Sequence, residues 1–135
     1  MAEAKPRNTP VDLLALAGVT ELAVASTGTA YSHSIPLPKN TAFGLEIKFA
    51  SSGTVDVQVD LEQGNQVPTT EGSADATWAV TDQLNADTNI TDTNKHIMAV
   101  APVVTTHARL KFTGEGSNHA STKITVLKLV FSENA

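Results

Sequence analysis

From Thr41 to Gln63 apolar and polar residues alternate almost without interruption. Phe43, Leu45, Ile47 and Phe49 interleave with Gly44, Glu46 and Lys48. After a break, Val55, Val57, Val59 and Leu61 interleave with Asp56, Gln58, Asp60 and Glu62. Successive side chains of a strand point to opposite faces, so each half has one apolar and one polar face. Ser51, Ser52 and Gly53 supply turn chemistry between the halves, and the stretch reads as a β-hairpin. Burying each of those apolar side chains is worth about 1.5–3 kcal/mol before ordering entropy is subtracted. An apolar sheet face must meet another layer, so a second sheet is expected over this one.

The same reading extends along the chain. Residues 1–10 carry two prolines, mixed charge and no apolar period, and read as an extended arm. Such an arm either frays or orders on a neighbouring subunit. Val11, Leu13, Leu14 and Leu16 fit a short helix ended by Gly18, or a strand. Strands are expected over Glu21 to Ala25 and from Ala30 to Leu37, the latter weakening at Pro36. Gly64 to Asp75 and Thr81 to Asn94 are long polar loops, with a turn of strand near Ile90. Between them Ala76 to Val80 is a short strand around Trp78. Lys95 to Val104, His107 to Thr113 and Lys123 to Phe131 complete the set. In the last strand the apolar parity shifts between Val126 and Leu127, which a β-bulge or coverage of both faces would accommodate. Roughly eight strands at a spacing of about 8–12 residues is the cadence of an all-β protein. The expected fold is an antiparallel β-sandwich, jelly-roll-like, with an arm at 1–10 and one domain at 11–135.

Composition narrows the function classes. A chain of 135 residues suits one domain with a sizeable core. It has no cysteine, which removes disulfides and thiolate metal sites. Nine basic against fourteen acidic residues give a net charge of -5. That balance argues against direct nucleic-acid binding, which needs clustered Lys and Arg. No apolar run is long enough for a membrane helix. The segment Val11 to Val24, broken by Asp12, Gly18, Thr20 and Glu21, makes a poor signal peptide.

Candidate chemistry is sparse. His33, His96, His107 and His119 fall on separate segments without metal-ligand spacing, so no metal and no cofactor is expected. Asp87-Thr88-Asn89 and Asp92-Thr93-Asn94 resemble pieces of a calcium loop but lack its glycine and distal glutamate, and suit Asx turns. Asn89-Ile90-Thr91 spells a glycosylation sequon, relevant only to a secreted eukaryotic protein. No nucleophile elbow occurs, and Gly28, Gly114 and Gly116 sit at turns between strands rather than before helices. No catalytic residue is assigned, and the chain reads as a non-enzyme. Asp56, Asp60 and Glu62 face Arg109 and Lys111 if their strands are neighbours; otherwise they form an ordinary solvated surface. Trp78 reads either as a sugar-stacking platform or as a core or loop anchor.

Leu61 to Trp78 (LEQGNQVPTTEGSADATW) and His96 to Thr122 (HIMAVAPVVTTHARLKFTGEGSNHAST) together resemble small β-sandwich virion structural proteins of tailed bacteriophages. The shared pattern is an acidic strand entering a Gly-Asn loop, then a Pro-Val-Val bend, a basic strand and a glycine turn. The resemblance runs from about Ala42 onward and does not reach the arm. It implies a capsid decoration (cement) protein, made in the host cytoplasm and carried on the virion. Its expected partners are the major capsid protein or another virion protein and copies of itself, a trimer being favoured, with no membrane. Contact residues are expected at Lys5, Pro6, Arg7, Pro10, Leu13, Leu14 and Trp78. The alternative is a carbohydrate- or receptor-binding sandwich with Trp78 and the two long loops at its site. A small hydrolase ranks third, for want of a paired acid and base.

Overall fold

A computed structural model describes residues 7–37, 43–81, 89–100 and 105–133. In chain order the elements are β1 (Arg7–Asp12), α1 (Leu13–Leu16), β2 (Leu22–Ala23), β3 (Thr29–Tyr31), β4 (Ile35–Pro36) and β5 (Phe43–Ala50). They continue with β6 (Val57–Gly64), β7 (Ala79–Thr81), β8 (Asn89–Ile90), β9 (His96–Val100), β10 (His107–Gly114) and β11 (Lys123–Glu133). Two antiparallel sheets pack face to face. Sheet A runs β1-β11-β5-β9 with β2 also on β11, and sheet B runs β3-β10-β6-β7 with β4 also on β10 and β8 on β6.

Three pairs of short strands share a neighbour: β1 with β2, β3 with β4, and β7 with β8. Each pair behaves as one interrupted strand, which reduces eleven strands to eight segments. Sheet A then reads 1-8-3-6 and sheet B reads 2-7-4-5. First pairs with last, second with seventh, third with sixth and fourth with fifth. This is a long doubled chain rolled onto itself, in keeping with the jelly-roll-like sandwich expected.

The apolar faces meet as the alternation requires. Leu45, Ile47 and Phe49 from sheet A and Val57, Val59 and Leu61 from sheet B are all buried in one core. β5 and β6 are nevertheless not a hairpin. β5 hydrogen-bonds to β11 and β9, and β6 to β10, β7 and β8. The segment 51–56 carries the chain from one sheet to the other, so the two strands face each other across the core. The bulge in β11 is present: Ile124 opposes Phe49 and Val126 opposes Lys48, leaving Thr125 as the extra residue. Ile124 and Leu127 are thereby both buried despite their opposite parity.

The arm differs from the sequence reading, and of the two readings of the first apolar cluster the short helix ended by Gly18 is the one observed. Residues 7–10, expected in the arm, belong to β1, whose register on β11 runs from Arg7↔Glu133 to Asp12↔Lys128. Pro10 is tolerated there because β1 is an edge strand. Asp12 Oδ1 accepts the backbone N–H groups of Leu14 at 3.0 Å and Ala15 at 3.2 Å, capping the single turn of α1. Gly18, at φ +74°, follows the helix in the left-handed conformation.

At one end of the sandwich three sheet-to-sheet crossings lie side by side: 23–29, 51–56 and 114–122. Asn118, 3% exposed, ties them together. Its Nδ2 donates to the Val24 carbonyl at 3.1 Å, and its Oδ1 accepts the Asp56 N–H at 3.0 Å. Backbone bonds from His119 N to Thr54 O (2.8 Å) and from Gly114 N to Gly28 O (2.9 Å) complete the bundle. A Cβ on Gly114 would lie 2.0 Å from the Ala25 carbonyl oxygen, so only glycine admits this approach. Asn118→Ala would orphan buried backbone groups in two crossings at once. Urea denaturation is expected to show a loss of about 1–3 kcal/mol or more, where an exposed asparagine would lose almost nothing.

Candidate functional site

The outer face of sheet B carries a cluster of four side chains: Tyr31 from β3, Arg109 from β10, Glu62 from β6 and Trp78 from the residue before β7. Ala108 and Leu110 point into the core, so Arg109 between them points outward, opposite Glu62. It is buried all the same. Its Nε donates to Glu62 Oε1 at 2.8 Å, with the two side chains 0% and 8% exposed. The guanidinium carbon lies 4.2 Å from the centre of the Tyr31 ring and 5.2 Å from that of Trp78. A guanidinium is planar and weakly hydrated, which suits it to a slot between aromatic faces. Nη1 and Nη2, with Trp78 Nε1, are buried and have no hydrogen-bond partner among the described residues.

What covers the cluster is the loop 65–78, which leaves β6, crosses the sheet and returns to β7 by way of Trp78. At its far point the Glu71 carboxylate accepts the Ser34 N–H at 2.9 Å and also the Ser34 hydroxyl. Glu71 Oε1 is also 4.0 Å from His33 Nδ1, whose N–H donates to the Ser34 carbonyl at 2.8 Å. Asp75 braces the return limb. It accepts Thr69 N–H and Thr77 N–H, both at 2.9 Å, and the Thr77 hydroxyl at 2.6 Å. The Thr77 hydroxyl first, then the two amides, lower its pKa from 3.8 to about 2. The brace is therefore at full strength above the ordinary carboxylate range and is lost as pH falls through about 2. Trp78 ends the loop lying flat on Gly64, where a Cβ would come within 2.6 Å of the indole.

Beside the tryptophan, where β6 ends and β7 and β10 begin, lies an open depression of about 410 Å³. It is lined by Gln63, Gly64, Asn65, Gln66, Thr77, Ala79 and Thr105. Every described lining residue is uncharged. The outer face of sheet A is different in kind, because no described side chain on it is fully buried. Across it Pro10, Val130, Gly44 and Ala99 fall in one register row, and Asp12, Lys128, Glu46 and Ile97 in the next. Ile97 is 76% exposed. Lys95 reaches Glu46 at 3.3 Å.

Among the described residues, the sequence-predicted contact residues do not share one surface. Lys5 and Pro6 lie outside the described residues. The backbone of Arg7 and Pro10 is in β1, while Leu13 and Leu14 are core residues at 1% and 5% exposure. Trp78 is 6% exposed and pressed between Gly64 and the Arg109 cluster, so its ring is not open for stacking a sugar. The acidic and basic strands are neighbours, with Glu62 opposite Arg109 and Asp60 opposite Lys111. The first pair is a buried ion pair rather than the solvated surface weighed against it. The histidines stay apart, and no cluster of three His, Cys, Asp or Glu able to hold a metal occurs among the described residues. Asp92 accepts the Asn94 N–H at 2.9 Å, an Asx turn, and pairs with His96 Nε2 at 2.8 Å. His96, then the Asn94 amide, lowers the Asp92 pKa. The Ser117 hydroxyl, then the Asn89 amide, does the same at Asp56.

No family model matches the chain, and no curated protein does. Among solved structures, one described as the structure of infectious bursal disease virus Gx strain is similar in chain path, with a TM-score of 0.44 and 14% identity. The match covers 97% of this chain and 38% of that one, so the chain spans well under half of the structure it resembles. Among the described residues no helix is long and apolar enough to cross a membrane.

The Arg109–Glu62 pair yields a specific expectation. Glu62→Leu alone leaves a buried guanidinium without its counter-charge and is expected to cost about 3–5 kcal/mol in urea denaturation. Adding Arg109→Met to that variant is expected to recover part of the loss. Simply additive losses would contradict the pairing.

Proposed function

We propose that this chain is a non-enzymatic virion structural protein, a capsid decoration protein of the kind found on tailed-phage heads. The observation that carries the reading is the contrast between its two outer faces. Sheet B is closed over by the chain's own loop, with its charged and aromatic groups engaged in holding that loop. Sheet A presents an exposed or half-buried face with an apolar row, bordering charges and an exposed Ile97. A rigid sandwich with one uncovered face suits attachment rather than chemistry. The patterned resemblance of the loop after β6 and the segment around β10 to phage virion proteins supports the same reading.

In this account the sheet A face, with the N-terminal residues leading into edge strand β1, lies against the major capsid protein or another virion protein. Bridging neighbouring capsid subunits would resist expansion by packaged DNA. Weak single contacts suffice when copies bind as a symmetric oligomer, a trimer being the form proposed, because linked sites raise the effective concentration.

The test is to mix the purified protein with undecorated phage heads and measure bound copies against concentration. Saturable binding is expected. Ile97→Asp is expected to weaken it about tenfold or more, with an unchanged melting temperature, since the side chain makes little contact within the chain. No saturable binding would overturn the function. Undiminished binding by the variant would remove Ile97 and its surroundings from the interface.

A further inference from the structure

We infer that the depression at the β6–β7–β10 end of sheet B is a binding subsite for a neutral saccharide. The inference is independent of the decoration reading. It does not use Trp78 as a platform; the indole instead forms the support beneath the floor.

Three observations point to this ligand class. First, none of the described residues lining it has an ionisable side chain. An ionic ligand would find no counter-charge there, whereas a neutral polyol requires none. Second, the lining polar groups are carboxamides (Gln63, Asn65 and Gln66) and threonine hydroxyls (Thr77 and Thr105), with Ala79 and Gly64 supplying apolar surface. Amides and hydroxyls both donate and accept, as sugar hydroxyls do, and the small apolar groups suit the C–H face of a pyranose. At about 410 Å³ the volume falls within the range of small-molecule sites, about 300–1,000 Å³.

Third, the polar groups are held in place before any ligand arrives. The Thr105 hydroxyl donates to Gln63 Oε1 at 2.7 Å. Thr77 is fixed by its bonds to Asp75 and accepts from Gln66 Nε2 at 3.3 Å. Asn65 Oδ1 accepts the Thr106 N–H at 3.4 Å. These bonds engage one end of each amide of Asn65 and Gln66. The other ends, Asn65 Nδ2 and Gln66 Oε1, are then directed by fixed geometry and have no partner among the described residues. Gly64 allows Trp78 to lie against the floor, and the Arg109–Glu62 pair holds Trp78 there. A preformed polar site avoids part of the ordering cost of binding.

Saturation-transfer NMR with a panel of neutral hexoses, N-acetylhexosamines and their disaccharides, against sialylated and sulfated counterparts, tests the assignment. At least one neutral member is expected to bind saturably and to shift the amides of Gln63, Gly64, Thr77 and Ala79. The double variant Asn65→Ala with Gln66→Ala, both at exposed positions, is expected to weaken that binding about tenfold or more without changing the melting temperature. Ala79→Leu, which fills the depression from an edge strand, is expected to do the same. Absence of saturable binding by every neutral member, preference for the acidic saccharides, or binding unaffected by both variants would overturn the inference.

Discussion

Two apolar faces that can be dried only by each other govern this molecule. β5 and β6 carry the most regular alternation in the chain, and each puts its apolar side chains into the same core from opposite sheets. Everything that moves the chain between the sheets must therefore be accommodated at the ends of the sandwich. Backbone groups released from the ladders there cannot stay unpaired once buried. The crossings at 23–29, 51–56 and 114–122 solve this together, through one another's carbonyls and amides and through Asn118. The glycine at 114 is a steric consequence of that shared packing.

A sandwich has two outer faces, and here they diverge. On sheet B the chain builds a second, smaller interior from groups normally left to solvent. An arginine, a glutamate and a tyrosine of the sheet cluster with the tryptophan that ends the loop 65–78. A buried ion pair of this kind is a weak contributor to net stability, because desolvation offsets most of the Coulomb gain. Its effect is on geometry: the guanidinium fixes the indole, the indole covers Gly64, and Asp75 and Glu71 fasten the loop above. Sheet A has no such cover among the described residues, which is why it is the face proposed for attachment.

Much of this was legible in the residues, and what was not has a physical reason. Alternation reports which way side chains face, so the two-layer core, the all-β class and the parity shift answered by the bulge at Thr125 could be read directly. It does not report which strand lies alongside, so β5 and β6 looked like a hairpin when they are partners across the core. The pairing of the Asp60–Glu62 strand with the Arg109–Lys111 strand was readable as a conditional, but its burial was not. That burial comes from a polar loop folding back over it, and such a loop carries no apolar period to announce a destination. Gly64 three residues after Leu61 was a usable signal, since a glycine at the end of a strand marks close approach by another group. The depression could not be foreseen, because it is assembled from residues of three separate segments.

The claim on which the account turns is that the loop 65–78 is an integral part of the block, so that the outer face of sheet B is closed. Trp78, the only tryptophan in the chain, reports on that directly. Its fluorescence and the far-ultraviolet circular dichroism should be followed together through a urea titration. The account predicts a blue-shifted emission in the native state and a single coincident transition by both probes. A red-shifted native emission, or a tryptophan transition that precedes loss of the sheets, would contradict it.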